Sequence, residues 1–374
     1  MSTPAPAPAP ANEAHAYFNS ILKLGVDSGC SDVHIKAGSS ATFRISRQLR
    51  STDFNPPQQW MEDVIMGICP KHLLEGLIKD RETDFSYSVA GVGRFRTNVY
   101  QQCGKWGIVM RYVKNNVPSF ESLGLPEVLK SIAESPRGII LMAGSTGSGK
   151  STTLAAMIEH VNSNFRKHIV TLEDPIEYMF EENQSVIEQR EITLDTMSFV
   201  RGLKSALRQD PDIIMVGEMR DATSFSASIG AADTGHMVLS TLHTTTASSS
   251  VSRILEFFKQ DERDTVRKQL STTLRAVCCQ RMCPTIEGKM TPALEIMINT
   301  ITIRKAIEEN QLGKLSQIIE ASEGDGMQSF DQAVYKLCME GKITKETALE
   351  RSNVPSRVKM MFEGIFTSAG GIVQ

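Results

Sequence analysis

Apolar residues along this chain change their period several times, and each change marks an element. From Ala16 to Ser28 they fall at helical spacing (Phe18, Ile21, Leu22, Val26), then switch to alternation over Ser31-Asp32-Val33-His34-Ile35. Strand-like runs follow at Asp84–Val89, Phe95–Tyr100 and Trp106–Val113, parted by glycine clusters, which predicts an antiparallel sheet. Asn115-Asn116-Val117-Pro118-Ser119 then reads as a linker. Beyond it, apolar runs recur at Gly138–Met142, His168–Leu172, Asp212–Val216 and His236–Leu242, with helix-like segments between them. That alternation predicts a mainly parallel sheet covered by helices. From Ile303 onward the pattern is a series of helices, including Gln328–Met339 and a stretch ending near Phe362. Ser368-Ala369-Gly370-Gly371 reads as a frayed end.

These runs divide the chain into an Ala/Pro tail at residues 1–13, expected to be disordered, and an N-terminal domain at 14–116. A linker at 117–123 and a second domain at 124–374 complete the division. A length of 374 residues is enough for two cores. Hydrophobic content of 41% and charged content of 22% are those of an ordinary globular protein. A formal net charge of −3 argues against a dedicated nucleic-acid binder, although it averages over any local basic surface. No apolar run reaches the length that crosses a bilayer, and the N-terminus lacks a basic-then-apolar signal pattern. The seven scattered cysteines suit reduced thiols, and a cytoplasmic location is the expectation.

One motif changes the picture. Gly144-Ser145-Thr146-Gly147-Ser148-Gly149-Lys150-Ser151-Thr152 follows a short apolar strand and leads into an apolar-periodic helix. This is the context that a phosphate-binding loop requires: glycines let backbone N–H groups wrap the phosphates, and the helix N-terminus faces the anion. Lys150 is placed to reach the β- and γ-phosphates, and the Ser151 hydroxyl to ligate Mg²⁺. A chance Gly/Ser turn before a core helix is the alternative, and both flanks weigh against it. ATP and Mg²⁺ are the expected ligands.

Hydrolysis of a triphosphate needs an oriented water and neutralised charge. The run His168–Leu172 ends in Glu173-Asp174-Pro175-Ile176-Glu177, and Asp212–Val216 ends in Gly217-Glu218. Both place carboxylates at the C-terminal ends of strands, where ligands bind in open α/β sheets. A lone acid of this kind is usually a solvated loop charge; two acid-ended strands after a phosphate loop are harder to dismiss. His236 and His243 bracket the strand-like run Met237–Leu242, on opposite faces, so they do not readily share a metal. One at the strand end can lie near the γ-phosphate while the other supports the neighbouring strand; a purely structural role stays open for each. Cys278, Cys279 and Cys283, read as helical, are small hydrophobes in that reading and lack a second pair at zinc spacing.

Together these segments resemble the secretion-type hexameric ATPases, specifically the type IV pilus retraction (twitching motility) subfamily. Residues 144–152 are similar to its Walker A segment, Glu173–Tyr178 to its Asp box, Val216-Gly217-Glu218-Met219-Arg220-Asp221 to its Walker B, and Thr234-Gly235-His236 through Thr244 to its His box. Ser31-Asp32-Val33-His34, Glu82–Ser86 and Gly93–Arg96 extend the resemblance into the first domain. Gly326–Asp331 resembles the retraction-type C-terminal region, and Ile303-Arg304 part of its Ala-Ile-Arg segment, from which Thr302 and Lys305 depart.

The resemblance implies a PAS-like N-terminal α/β domain and a RecA-like P-loop ATPase domain with C-terminal helices. It makes Glu177 the general base, Glu218 a support for Mg²⁺ (through water) and for the catalytic water, and His243 a sensor of the γ-phosphate. Glu173, Asp174 and His236 become supporting residues. Arg96 and Arg111, with Arg94 beside them, are implied to reach nucleotide phosphates when the domains close, about a hinge at Asn115–Ser119. Ordinary surface charge is the other reading of three arginines on such a sheet. The implied assembly is a homohexamer at the cytoplasmic face of the inner membrane, acting on a pilus platform protein, with a paralogous retraction ATPase as a further partner and no direct nucleic acid. Two rivals share the catalytic motifs or the fold: a pilus-assembly or type II secretion ATPase, and a nucleic-acid translocase. A non-hydrolysing nucleotide-binding regulator is the third, and Glu177 and Glu218 argue against it.

Overall fold

The computed structural model describes residues 11–114, 116–368 and 371–373. It divides into two compact units, one of Met1–Asn115 with Glu177–Met179, the other of Asn116–Ile176 with Phe180–Gln374. Residues 1–10 of the Ala/Pro tail, Asn115 of the expected hinge, and Ala369 and Gly370 of the expected frayed end lie outside the described residues.

The first unit is built on β1 (Cys30–Lys36), β2 (Ser39–Ile45), β3 (Gln48–Ser51), β4 (Glu82–Val89), β5 (Gly93–Gln102) and β6 (Lys105–Val113). They lie in the order β3-β2-β1-β6-β5-β4 with every pair antiparallel. Alternation along the strands sends Val33, Ile35, Phe43, Phe95, Val99 and Met110 into one core, where Phe18 and Leu22 of the helix Ala11–Asp27 and Met61 and Val64 of the helix Gln58–Ile68 meet them. On the opposite face the register sets Arg44, Asp32, Arg111, Arg96 and Ser86 side by side across five strands.

The sequence reading found four of these six strands. The β2–β3 hairpin escaped it because β2 is half polar and β3 is short and exposed throughout. The first helix starts at Ala11, inside the stretch read as tail. The expected linker contains a helical turn, Phe120–Leu123, capped by Ser119, whose Oγ accepts a hydrogen bond from Ser122 N at 3.2 Å. Phe120 is buried with Leu125, Leu129 and Ile158, so this part of the linker belongs to the core of the second unit.

The second unit carries β7 (Gly138–Ala143), β8 (His168–Glu173), β9 (Val186–Glu191), β10 (Ile213–Val216), β11 (Met237–Leu242), β12 (Leu274–Pro284) and β13 (Met290–Ile298). Their order is β13-β12-β7-β11-β10-β8-β9, parallel from β12 to β9, with β13 antiparallel at one edge. Helices cover both faces: Ile139 and Leu141 of β7 face one core, Ile140 and Met142 the other. Burial on both faces explains why these strands read as unbroken apolar runs.

Here the reading of Cys278, Cys279 and Cys283 as helical is corrected. All three lie on β12, a strand buried along most of its length, where period-two alternation is masked by apolar residues on both faces. They remain buried small side chains. The C-terminal helices Phe330–Met339, Lys345–Arg351 and Pro355–Phe362 are followed by a short hairpin, β14 (Phe366–Ser368) with β15 (Gly371–Val373), in which Ser368 pairs with Gly371 instead of fraying.

Candidate nucleotide site

The parallel strands deliver every chemistry-bearing loop of the second unit to one end of the sheet. Residues 144–149 leave the C-terminal end of β7 and enter the helix Lys150–Asn164. Gly144 has φ +148°, and a Cβ there would lie 2.4 Å from the Gln280 carbonyl oxygen and 2.5 Å from Ser148 Oγ. No side chain fits at that position. Gly149 turns the chain into the helix at φ +85°. Ser145, Thr146 and Gly147 form an exposed tip, whereas Ser148 and Lys150 are buried and Ser151 and Thr152 half-buried. Lys150 Nζ reaches back across the loop to the carbonyls of Gly144 (2.8 Å) and Ser145 (3.1 Å), which holds the ammonium beside the cradle. Ser148 Oγ is buried in the same loop without a hydrogen-bond partner.

Gln280, which no sequence signal singles out, holds this loop from β12. Its Nε2 donates to Ser148 O at 2.8 Å, and its Oε1 accepts from Thr153 Oγ1 at 2.8 Å. One buried amide therefore links the end of the phosphate loop to the first turn of its helix. Gly144 and Ser145 also line a cavity of about 240 Å³ with Arg281, Glu350 and Arg351, so the helix Lys345–Arg351 stands beside the loop.

The neighbouring strand ends add the carboxylates and a histidine. Glu218, two residues past β10, accepts a hydrogen bond from Arg220 Nη2 at 2.6 Å and lies 3.3 Å from His243 Nε2, one residue past β11. Burial pushes the Glu218 pKa up, but the bond and charge of Arg220, with His243 beside them, outweigh it. The carboxyl therefore sits below the ordinary range and is ionised at neutral pH. Thr241 Oγ1 donates to Gly217 O at 2.7 Å, joining the two strand ends. Glu173 closes β8 as a buried acceptor, bonded by Thr171 Oγ1 (2.7 Å) and Gln189 Nε2 (3.4 Å). Such a carboxylate is held in place, which suits support better than a mobile role. Asp174 is exposed next to it, ahead of the cis bond to Pro175.

Other predicted residues sit elsewhere. His236 places Nδ1 3.0 Å from Ala231 O and 3.1 Å from Thr234 Oγ1, at the end of the helix Ala222–Asp233. Its side chain thus supports a helix end, and only its backbone carbonyl, accepting from Gly138 N at 3.1 Å, supports the neighbouring strand. Glu177 is exposed and belongs to the segment grouped with the first unit, where Tyr178 bridges Lys114. In that unit Arg96 and Arg111 are exposed cross-strand partners, and Arg111 Nε donates to Asp32 Oδ1 at 2.9 Å. Arg94 is half-buried on the same strand as Arg96. Among the described residues no group of three or more His, Cys, Asp or Glu side chains is arranged to hold a metal ion, and no helix is long and apolar enough to cross a membrane.

Comparison with known proteins identifies the family. The chain is 37% identical over 349 residues to the type IV pilus ATPase PilU of Pseudomonas aeruginosa, covering 92% of this chain and 91% of that protein. It is 39% identical over 336 residues to the type IV pilus retraction ATPase PilT of the same organism, covering 90% and 98%. A crystal structure of the pilus retraction motor PilT with bound ADP superposes with a TM-score of 0.83 at 38% identity, over 92% of this chain and 99% of that one. The family model for type II/IV secretion system proteins matches residues 88–327, which takes in the phosphate loop, both acid-ended strands and His243. The chain is thus a two-domain α/β protein, and it belongs to the type II/IV secretion system protein family.

Proposed function

We propose that this chain is an ATP-hydrolysing motor subunit whose homohexamer drives type IV pilus retraction from the cytoplasmic face of the inner membrane. The observation that carries the reading is the complete phosphate loop, clamped by Gln280, with an ionised Glu218 held against His243 at the adjacent strand ends. Relatives named for pilus retraction supply the direction of work.

In this reading the backbone of residues 144–149 wraps the phosphates, and Lys150 turns from its loop carbonyls to the β- and γ-phosphates. Ser148 Oγ, a buried hydroxyl without a partner, gains one from the bound nucleotide. The donor set fits a hard divalent cation: the Ser151 hydroxyl at the helix start and the ionised Glu218, through water, would hold Mg²⁺. When bound, that ion neutralises charge on the phosphates. Glu177 orients and deprotonates the attacking water, and Glu218 fixes the same water network. His243, coupled to Glu218 at 3.3 Å, responds to the γ-phosphate. Arg96 and Arg111 meet phosphate charge in the working ring, where the planar guanidinium suits them. The platform protein of the pilus machine receives the motion, and a paralogous ATPase works beside this one.

The test is ATP hydrolysis by the purified protein, with and without duplex or single-stranded DNA, beside Lys150→Ala and Glu177→Gln. Hydrolysis indifferent to DNA and lost in both variants is expected. Strong stimulation by DNA, or turnover that survives Glu177→Gln, would overturn the motor or the assigned base respectively.

A further inference from the structure

At the end of the sheet away from the phosphate loop lies a polar cavity of about 290 Å³. Three arginines from three elements line it: Arg137 before β7, Arg275 at the start of β12, and Arg304 on the helix Ile301–Glu308. Asp233 is the one carboxylate on its wall. Among the described residues none of the three arginines has an acidic partner within ion-pair distance. Arg275 alone is tied down, its Nε donating to Ser135 Oγ at 2.7 Å.

The floor is built to hold these groups together. Gly138, at φ +115°, has no room for a Cβ, which would meet Thr273 O at 2.9 Å and Arg275 Cβ at 3.2 Å; glycine lets β7 begin against the start of β12. Asn299 Nδ2 locks the turn into β12 by donating to Ser271 O (2.9 Å) and Leu274 O (2.6 Å), and its Oδ1 is left as a buried acceptor without a partner. Three cations against one anion give the cavity wall a net positive charge, which favours an entering anion.

We propose that this cavity docks an acidic protein segment, one bearing successive Asp or Glu side chains, by charge-assisted bonds to Arg137, Arg275 and Arg304. Two features favour a protein segment over a free oxyanion. The volume exceeds what one phosphate fills, and the three arginines belong to three separate elements, which matches several carboxylates better than one anion. Such docking sits at the opposite end of β7 from the phosphate loop. It therefore bears on the strand that carries the loop without entering the nucleotide site, and it stands independently of the catalytic assignments above.

The experiment is fluorescence anisotropy of a labelled hexaglutamate peptide against the full-length protein at fixed low salt. A hexaglutamine peptide and inorganic phosphate serve as the other arms. The glutamate peptide is expected to bind the natural chain, to resist displacement by phosphate at concentrations equal to the peptide, and to lose about tenfold or more in affinity for Arg137→Gln/Arg304→Gln. Arg275 is left in place because it also bonds Ser135, and ATP hydrolysis by the variant reports that the fold is intact. If the double variant loses hydrolysis, Arg304→Lys replaces it and is expected to bind more weakly than the natural chain. Absence of peptide binding, equal binding by the arginine variants, equal binding of hexaglutamine, or displacement by equimolar phosphate would each overturn the proposal.

Discussion

The Gln280 amide joins the end of the phosphate loop to the first turn of the helix after it, and its removal has a readable consequence. Gln280→Ala strands the buried Thr153 hydroxyl and frees Ser148 O, at a cost of about 1–3 kcal/mol. Thermal unfolding should move to lower temperature, and KM for ATP should rise several-fold with a smaller change in kcat. An unchanged KM would remove Gln280 from the site. Glu218 makes a pH prediction. Its folded-state pKa is depressed, so the interactions that depress it favour the fold above the unfolded carboxylate pKa and are lost as pH falls through the lower folded value. Arg220→Ala removes the strongest of the lowering partners, so the acid limb of kcat/KM should move to higher pH. An unmoved limb would show that Glu218 does not set it. The cysteines divide by environment: Cys103 is exposed, whereas burial pushes the Cys278 thiol up to about 12. Iodoacetamide on the native protein, followed by peptide mass analysis, should label Cys103 and spare Cys278 until denaturant is added.

At the scale of elements, legibility followed burial. β7, β8, β10 and β11 were visible as apolar runs because helices cover both their faces, and the phosphate loop was visible through its glycines, Gly144 fixed by close backbone approach and Gly147 and Gly149 by positive φ. β9, with Glu188, Gln189 and Arg190 in an edge strand, carries no such signal. β12 was mistaken for helix, and with it went any chance of finding Gln280, whose role depends on a neighbour more than a hundred residues away in sequence. Arg220 stood within a recognised motif, but its bond to Glu218 is a product of the turn after β10. The C-terminal helices have their own keystone. Asp331, buried in the first turn of the helix Phe330–Met339, accepts from the backbone N–H groups of Asn353 (2.7 Å) and Val354 (3.2 Å). Asp331→Ala leaves two donors without their acceptor and should cost about 1–3 kcal/mol. Limited proteolysis should then cut near residues 352–354 sooner than in the natural chain; an unchanged digest would mean that packing alone holds the segment.

Over the whole molecule, sequence motifs named the candidate residues but not how their charges are shared. Arg111 was chosen for phosphate contact, yet in the sheet it pairs with Asp32, a residue whose opposite strand neighbours are both arginines. Register, which no single segment encodes, created that row. The proposed ring makes one global prediction: with a non-hydrolysable ATP analogue, sedimentation should reveal a species six times the 41.2 kDa chain mass. A monomer at all concentrations would remove the ring.

Neighbouring residues of β12 face opposite ways, Gln280 toward the phosphate loop and Arg281 toward the C-terminal helices, where it bonds Arg351 O (2.7 Å) and Asn353 Oδ1 (2.8 Å) and covers the Phe330 ring. For anyone grafting the tail of one family member onto the body of another, this decides what a seam breaks. A join placed at the first C-terminal helix would separate Arg281 from the groups it was matched to, while leaving Gln280 bound to its own loop. A seam before Leu274 keeps Arg281 with the tail but parts Gln280 from Ser148 and Thr153, so β12 is matched on both sides and each seam cuts one of its two sets of contacts.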